Sequence, residues 1–190
     1  MRRIYIRILL TVFIFGGFTP WLNAESRRVI PLDMFLIIDG SDFFENSKAD
    51  AIAWINSHVV DRILQDGDRI TIWRAGDTAQ VIHTGYISGN TQEITNLLNS
   101  MLISGRTPDF SSALIDAAAR ASRTTQDRLP YTMLVASSAA GLQRTITGEA
   151  RNLLRWFRSE REERWQILVI DPHLTPRVQT AAASLMGFLR

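Results

Sequence analysis

The stretch Phe35-Leu36-Ile37-Ile38-Asp39-Gly40-Ser41-Asp42-Phe43-Phe44 passes directly from an apolar run into an acidic, hydroxyl-bearing turn. With Met34, the apolar residues read as a strand buried on both faces, because a parallel strand covered by helices has no polar side to show. The Asp-Gly-Ser turn that follows has two chemistries open to it. Its side chains can close the turn by hydrogen bonding to nearby backbone, or they can offer oxygens to a ligand.

Outward from that stretch the chain alternates. Ser47-Lys48-Ala49-Asp50 has capping-box spacing, and Ile52, Ile55, Val59 and Ile63 recur at helical intervals until Asp66-Gly67 ends the pattern. Ile70-Ile72 and Val81-Ile82 flank the turn residues Ala75-Gly76-Asp77-Thr78 and predict an antiparallel hairpin. A second capping box, Asn90-Thr91-Gln92-Glu93, starts a helix through Met101; Ser104 to Pro108 interrupts it, and Asp109 caps an Ala-rich helix to about Ser122. Tyr131 to Ala136 is a second buried strand, followed by the small residues 137–141. An amphipathic helix over Glu149–Arg164, a strand at Ile167–Ile170 and a terminal helix opened by Thr175-Pro176 complete the order βαββααβαβα. That order predicts an α/β fold, a three-layer doubly wound sheet that is mostly parallel with one antiparallel edge strand. Sites in such sheets form at the carboxyl ends of the strands, which places the turns after Ile38 and Ala136 and the 104–109 loop at the functional edge.

The chain has 190 residues, 46% of them hydrophobic and 21% charged, which suits one globular domain. Arg2, Arg3 and Arg7 precede the apolar run Ile8–Phe18, which closes near Ala24 in the layout of a secretory signal peptide. The run is about 11 residues, short of the roughly 20 that a membrane-spanning helix needs. The expected organisation is therefore a signal peptide at 1–24, a polar lead-in at 25–31 and one domain at 32–190, with no stable membrane span once the signal is cleaved; left uncleaved, the segment would be an anchor. Periplasmic or secreted placement in a bacterial envelope follows. The absence of cysteine rules out disulfides. Losing the three signal-segment arginines leaves 18 basic against 19 acidic residues, so nothing global points to nucleic acid.

The strand ending in Asp39-Gly40-Ser41, the antiparallel hairpin, Gly105-Arg106-Thr107 before a helix containing Ala113-Leu114, and the later small-residue turn together resemble a von Willebrand factor A (vWA) domain over residues 32–190. The resemblance implies a metal-ion-dependent adhesion site, in which an Asp-x-Ser-x-Ser turn, a loop Thr and a later Asp hold Mg²⁺ for a partner's carboxylate. Asp39, Ser41 and Thr107 match three of those positions. Phe43 replaces the second Ser, no acid follows the Met133–Ala136 strand, and the Thr loop holds one extra residue. Mg²⁺ wants near-octahedral oxygen ligands with one or two carboxylates, so the expected site is degenerate and carries no cofactor. Asp42 and Asp109 are the residues that could substitute for the missing ligands and restore Mg²⁺ binding. The implied function is non-enzymatic protein binding on a face built by residues 39–44, 105–109 and 137–141, with Phe43, Phe44, Arg106, Ser137 and Ser138 as candidate contacts. As an adjacent aromatic pair, Phe43 and Phe44 are expected to be buried together rather than exposed as a patch.

Other chemistry has little support. His58, His83 and His173 are scattered, without a zinc spacing. No G-x-S-x-G, Walker or G-x-G-x-x-G motif occurs. A hydrolase or phosphatase using Asp39 as nucleophile is the alternative from another class; it calls for an acid two positions on, where Ser41 stands. Arg151, Arg155, Arg158, Arg161 and Arg164 alternate with glutamates as in a solvated helix face, the partner-binding alternative resting on Trp156 and Trp165.

Overall fold

The continuous apolar run forms the central strand β1 (Leu32–Asp39), buried at every position. A computed structural model describes residues 28–137, 142, 144–153 and the backbone of 165–169. Within these lie α1 (Lys48–Ile55), β2 (Arg69–Ala75), β3 (Ala79–Tyr86), α2 (Gln92–Ser100), α3 (Phe110–Ala121), β4 (Leu129–Ala136) and β5 (Trp165–Val169). The sheet order is β3-β2-β1-β4-β5, with β1 parallel to both β2 and β4, β4 parallel to β5, and β3 antiparallel to β2 at the edge. The expected doubly wound, mostly parallel sheet with one antiparallel edge strand is observed.

Period-two alternation on β1 divides the molecule into two cores. Leu32, Met34, Leu36 and Ile38 pack with Ile52 and Ile55 of α1 and with Ile94 and Leu98 of α2. Phe35 and Ile37 point the other way, onto Trp73, Leu134 and the α3 residues Phe110, Ala113, Leu114 and Ala117. The Ala-rich stripe of α3 lets that helix sit close to the sheet. Trp73, fully buried, keeps its indole N–H satisfied on Asp116 Oδ2 at 3.1 Å.

Local structure departs from the sequence pattern in three places. The capping box expected at Asn90–Glu93 is absent: Thr91 precedes α2 without a side-chain cap hydrogen bond, and Gln92 N donates to Asn90 Oδ1 instead, at 2.9 Å. The Asp39 turn is followed by a 3₁₀ turn, Asp42–Ser47, and Ser47 caps α1 without any side-chain hydrogen bond, so the capping box read there is not formed. The helical period through Val59 and Ile63 is real, but α1 loosens into a π turn at Asn56–Val60, which keeps both residues in the core. Of the helix expected at 149–164, residues 149–153 are described and helical; the remainder, residues 1–27, His173 and the terminal helix lie outside the described residues. Arg151 donates from Nη2 to the Ile146 carbonyl at 3.0 Å.

At the amino-terminal end of the sheet the core is closed by charge. Asp33 is fully buried and receives Arg69 Nη2, Arg128 Nε and Thr124 Oγ1. Asp68, also buried, accepts from Leu32 N at 2.7 Å, Gln65 N at 2.8 Å and the Arg28 guanidinium. Two buried carboxylates thus each have at least one arginine counter-ion and three hydrogen-bond donor groups, which is what a buried acid requires.

Candidate binding cleft

At the opposite, carboxyl-terminal end the sheet reaches its switch point: β1 is followed in sequence by β2 on one side and adjoins β4 on the other. Three loops meet there and are laced together by backbone hydrogen bonds. Gly40 N donates to Ala75 O at 2.8 Å, Ser104 N to Gly40 O at 2.7 Å, Asp42 N to Gly105 O at 2.8 Å and Asp109 N to Gly76 O at 2.8 Å. Asp77 adds a side-chain tie, its Oδ1 accepting from Arg106 N at 2.7 Å and Thr107 N at 3.3 Å.

Gly105 is the residue that lets these loops close. Its φ is +110°, and a Cβ there would lie 2.6 Å from Asp77 N. Left-handed backbone and a backbone clash act together, so Gly105→Ala is expected to cost about 2 kcal/mol or more. A lowered urea midpoint with unchanged slope measures it; an unaltered midpoint contradicts it.

Asp39 forms the floor. It is fully buried, with Oδ1 accepting from Ser41 N at 2.9 Å and Ser41 Oγ at 2.7 Å, and Oδ2 accepting from Ser137 N at 3.2 Å. The carboxylate closes its own turn and ties the end of β1 to the end of β4. Ser41 is fully buried beside it. Beside them opens a cleft of about 780 Å³ whose lining includes Asp39, Phe43, Asp77, Arg106, Thr107 and Asp109, together with Ser137, Arg144, Thr145 and Thr147. Its size is in the range of ligand-binding clefts.

The residues named from sequence are thereby sorted. Asp39, Thr107, Asp109, Phe43, Arg106 and Ser137 share the cleft, while Ser41 lies beneath it. Asp109 is engaged as the cap of α3, accepting from Ser112 N at 3.0 Å. Asp42 is exposed and is not among the lining residues. Ser138 lies outside the described residues.

Phe44 requires a correction: it is fully buried in the core under α1 and cannot contact a partner, whereas Phe43 is 67% exposed. The two aromatics are not buried together, because the 3₁₀ turn rotates successive side chains by about 120° and sends one inward and its neighbour outward. Asp77 and Arg144 also line the cleft, and the sequence marks neither as a site residue. Asp77 reads there as an ordinary turn residue, and nothing local to Arg144 signals that its loop folds over the switch point.

As a magnesium site the donor set is short. Asp39 has its oxygens turned to protein donors, Ser41 Oγ is committed to Asp39, and Phe43 offers no oxygen. Among the described residues no three His, Asp or Glu side chains converge as a metal-binding group. These residues do not fit the ion as they stand.

No protein-family model and no curated protein matches the sequence. Solved structures do. A von Willebrand factor type A protein from Catenulispora acidiphila superposes with a TM-score of 0.56 at 13% identity, over 84% of this chain and 43% of that one. The manganese-loaded TRAP protein of Plasmodium vivax gives 0.53 at 15% identity, over 84% and 74%. Proximal thread matrix protein 1 from the mussel byssus, with a zinc-occupied MIDAS motif, gives 0.56 at 8% identity, over 84% and 47%. This chain spans less than half the length of the Catenulispora and mussel structures. With its strand order, its antiparallel edge strand β3 and these superpositions, the chain has the von Willebrand factor A fold.

Proposed function

We propose that this chain is an exported, non-catalytic protein-binding domain whose partner docks at the carboxyl-end cleft, and that the cleft works without a metal ion. The observation that carries the proposal is Asp39: the one carboxylate inherited from the adhesion-site pattern is fully buried and spent on Ser41 and Ser137. A nucleophile needs a free, reachable oxygen, so the same geometry speaks against a hydrolase. Export rests on the Arg-flanked apolar segment before Ala24. No helix among the described residues is long and apolar enough to cross a membrane. A magnesium-dependent adhesion site is the alternative, favoured by the presence of Asp39, Asp77 and Asp109 around one cleft.

Phe43 supplies the test of docking, since an exposed aromatic at the rim of a cleft is the kind of group that anchors an interface. A photo-cross-linking side chain placed at Phe43 is expected to capture a discrete envelope protein. The same group at Tyr86, 65% exposed but at the other end of the sheet, is the control and should not. Equal capture at both positions, or capture at Tyr86 alone, rules the cleft out. Thermal stability should be unaffected by Phe43→Ala, because exposed substitutions away from special features usually shift it by no more than about 0.5 kcal/mol.

A further inference from the structure

The charges around the cleft are not in equivalent states. Each of its three carboxylates already serves the fold: Asp39 accepts from Ser41 and Ser137, Asp77 from the Arg106 and Thr107 amides, and Asp109 from the Ser112 amide. The two lining arginines are the reverse. Arg106 and Arg144 are exposed, and neither guanidinium has a hydrogen-bond or ion-pair partner among the described residues. Arg28, Arg69, Arg120 and Arg128, by contrast, are paired with aspartates.

We infer that the cleft captures a carboxylate-bearing segment of a partner protein, gripped directly by Arg106 and Arg144 with no bridging metal. This rests on the proposal that the cleft is the docking site, and it assigns the chemistry of what docks. The guanidinium fork matches a carboxylate in two parallel hydrogen bonds and needs no ion between them. Arg106 comes from the loop before α3 and Arg144 from the segment after β4, so two separate segments each bring a guanidinium to the same cleft. Phe43 at the rim offers an apolar surface for the residue flanking the acid. The Arg106 backbone is held in place by Asp77, which fixes where its side chain starts and lowers the entropy lost on binding.

The test is an array of short capped peptides of varied sequence, each made in three versions with Glu, Gln or Lys at its centre and probed with the full chain in EDTA. Glu versions are expected to be retained about tenfold or more above their Gln and Lys counterparts, the discrimination a charge-assisted bidentate pair supplies. Arg106→Gln and Arg144→Gln should each flatten that preference by about tenfold, and Arg106→Lys should restore part of it, with circular dichroism confirming that the variants fold. Equal retention of Glu and Gln versions, preference for Lys, retention only when Mg²⁺ is supplied, or no retention of any peptide would each overturn the inference. The cross-linking contrast between Phe43 and Tyr86 fails separately: capture at Phe43 with a charge-blind array leaves the docking site standing and removes only its assigned ligand.

Discussion

Replacing Asp33 with alanine is expected to lower the unfolding free energy by about 3–5 kcal/mol, the range seen when one partner of a buried ion pair is removed. Asp33 is fully buried and anchors three donors, Arg69, Arg128 and Thr124. The loss falls hardest on Arg128, whose side chain is only 14% exposed and which reaches Leu32 O and Gly67 O while lying over the Tyr86 ring. Without Asp33 it holds a charge at the sheet's closed end with backbone carbonyls and an aromatic face but no counter-ion. Arg69 is 34% exposed and can turn to water, so its own replacement by methionine should cost much less. Urea unfolding of the two variants measures both values, and a loss below about 1 kcal/mol for Asp33→Ala would show that the arginines relax freely into solvent.

That network was hidden in the sequence, and the reason is physical. Asp33 stands directly before Met34, where it reads as the polar end of a strand; its partners lie 36 and 95 residues away, and only the folded sheet brings them together. The signals that were legible are local or periodic. An unbroken apolar run marks β1 as a strand covered on both sides, helical spacing marks α1, and cap residues mark the starts of α2 and α3. Turn chemistry at Gly76-Asp77 gave the hairpin. Handedness and short connections then leave few ways to order such elements, so the topology followed from readings that were each short-range.

The cleft was legible by position more than by composition. Sites at a switch point are expected for this architecture, and of the residues expected there Asp39, Phe43, Arg106, Thr107, Asp109 and Ser137 line one cleft. What could not be read was direction. Phe43 and Phe44 differ by one position and end on opposite sides of the backbone because the chain leaves β1 in a 3₁₀ turn. Arg144 reaches the cleft only because its segment returns over α3, where Ser111 Oγ donates to Thr145 O at 2.9 Å and accepts from Thr147 N at 3.1 Å.

Asp39→Ala is expected to cost about 2–4 kcal/mol, and the larger consequence lies in what restores the loss. Removing the carboxylate strands the amides of Ser41 and Ser137 without an acceptor, at about 1–3 kcal/mol for each buried group left unsatisfied, while Ser41 Oγ can rotate to another partner. Asp39→Asn should cost less, because its carbonyl keeps the Ser41 bonds and only the Ser137 amide then faces a donor. If Asp39 acts solely as this tie between β1 and β4, saturating Mg²⁺ leaves the melting temperature of the native chain where EDTA leaves it. A site that held the ion would instead add about 2.7 kcal/mol at a hundred times its Kd, and Asp39→Asn would abolish the gain. A magnesium-dependent rise lost in Asp39→Asn would make the carboxylate a ligand and return the cleft to metal-bridged binding; the same melting temperature in both buffers, with Asp39→Ala unfolding earlier in each, makes it the clasp that shapes the floor beneath Arg106 and Arg144.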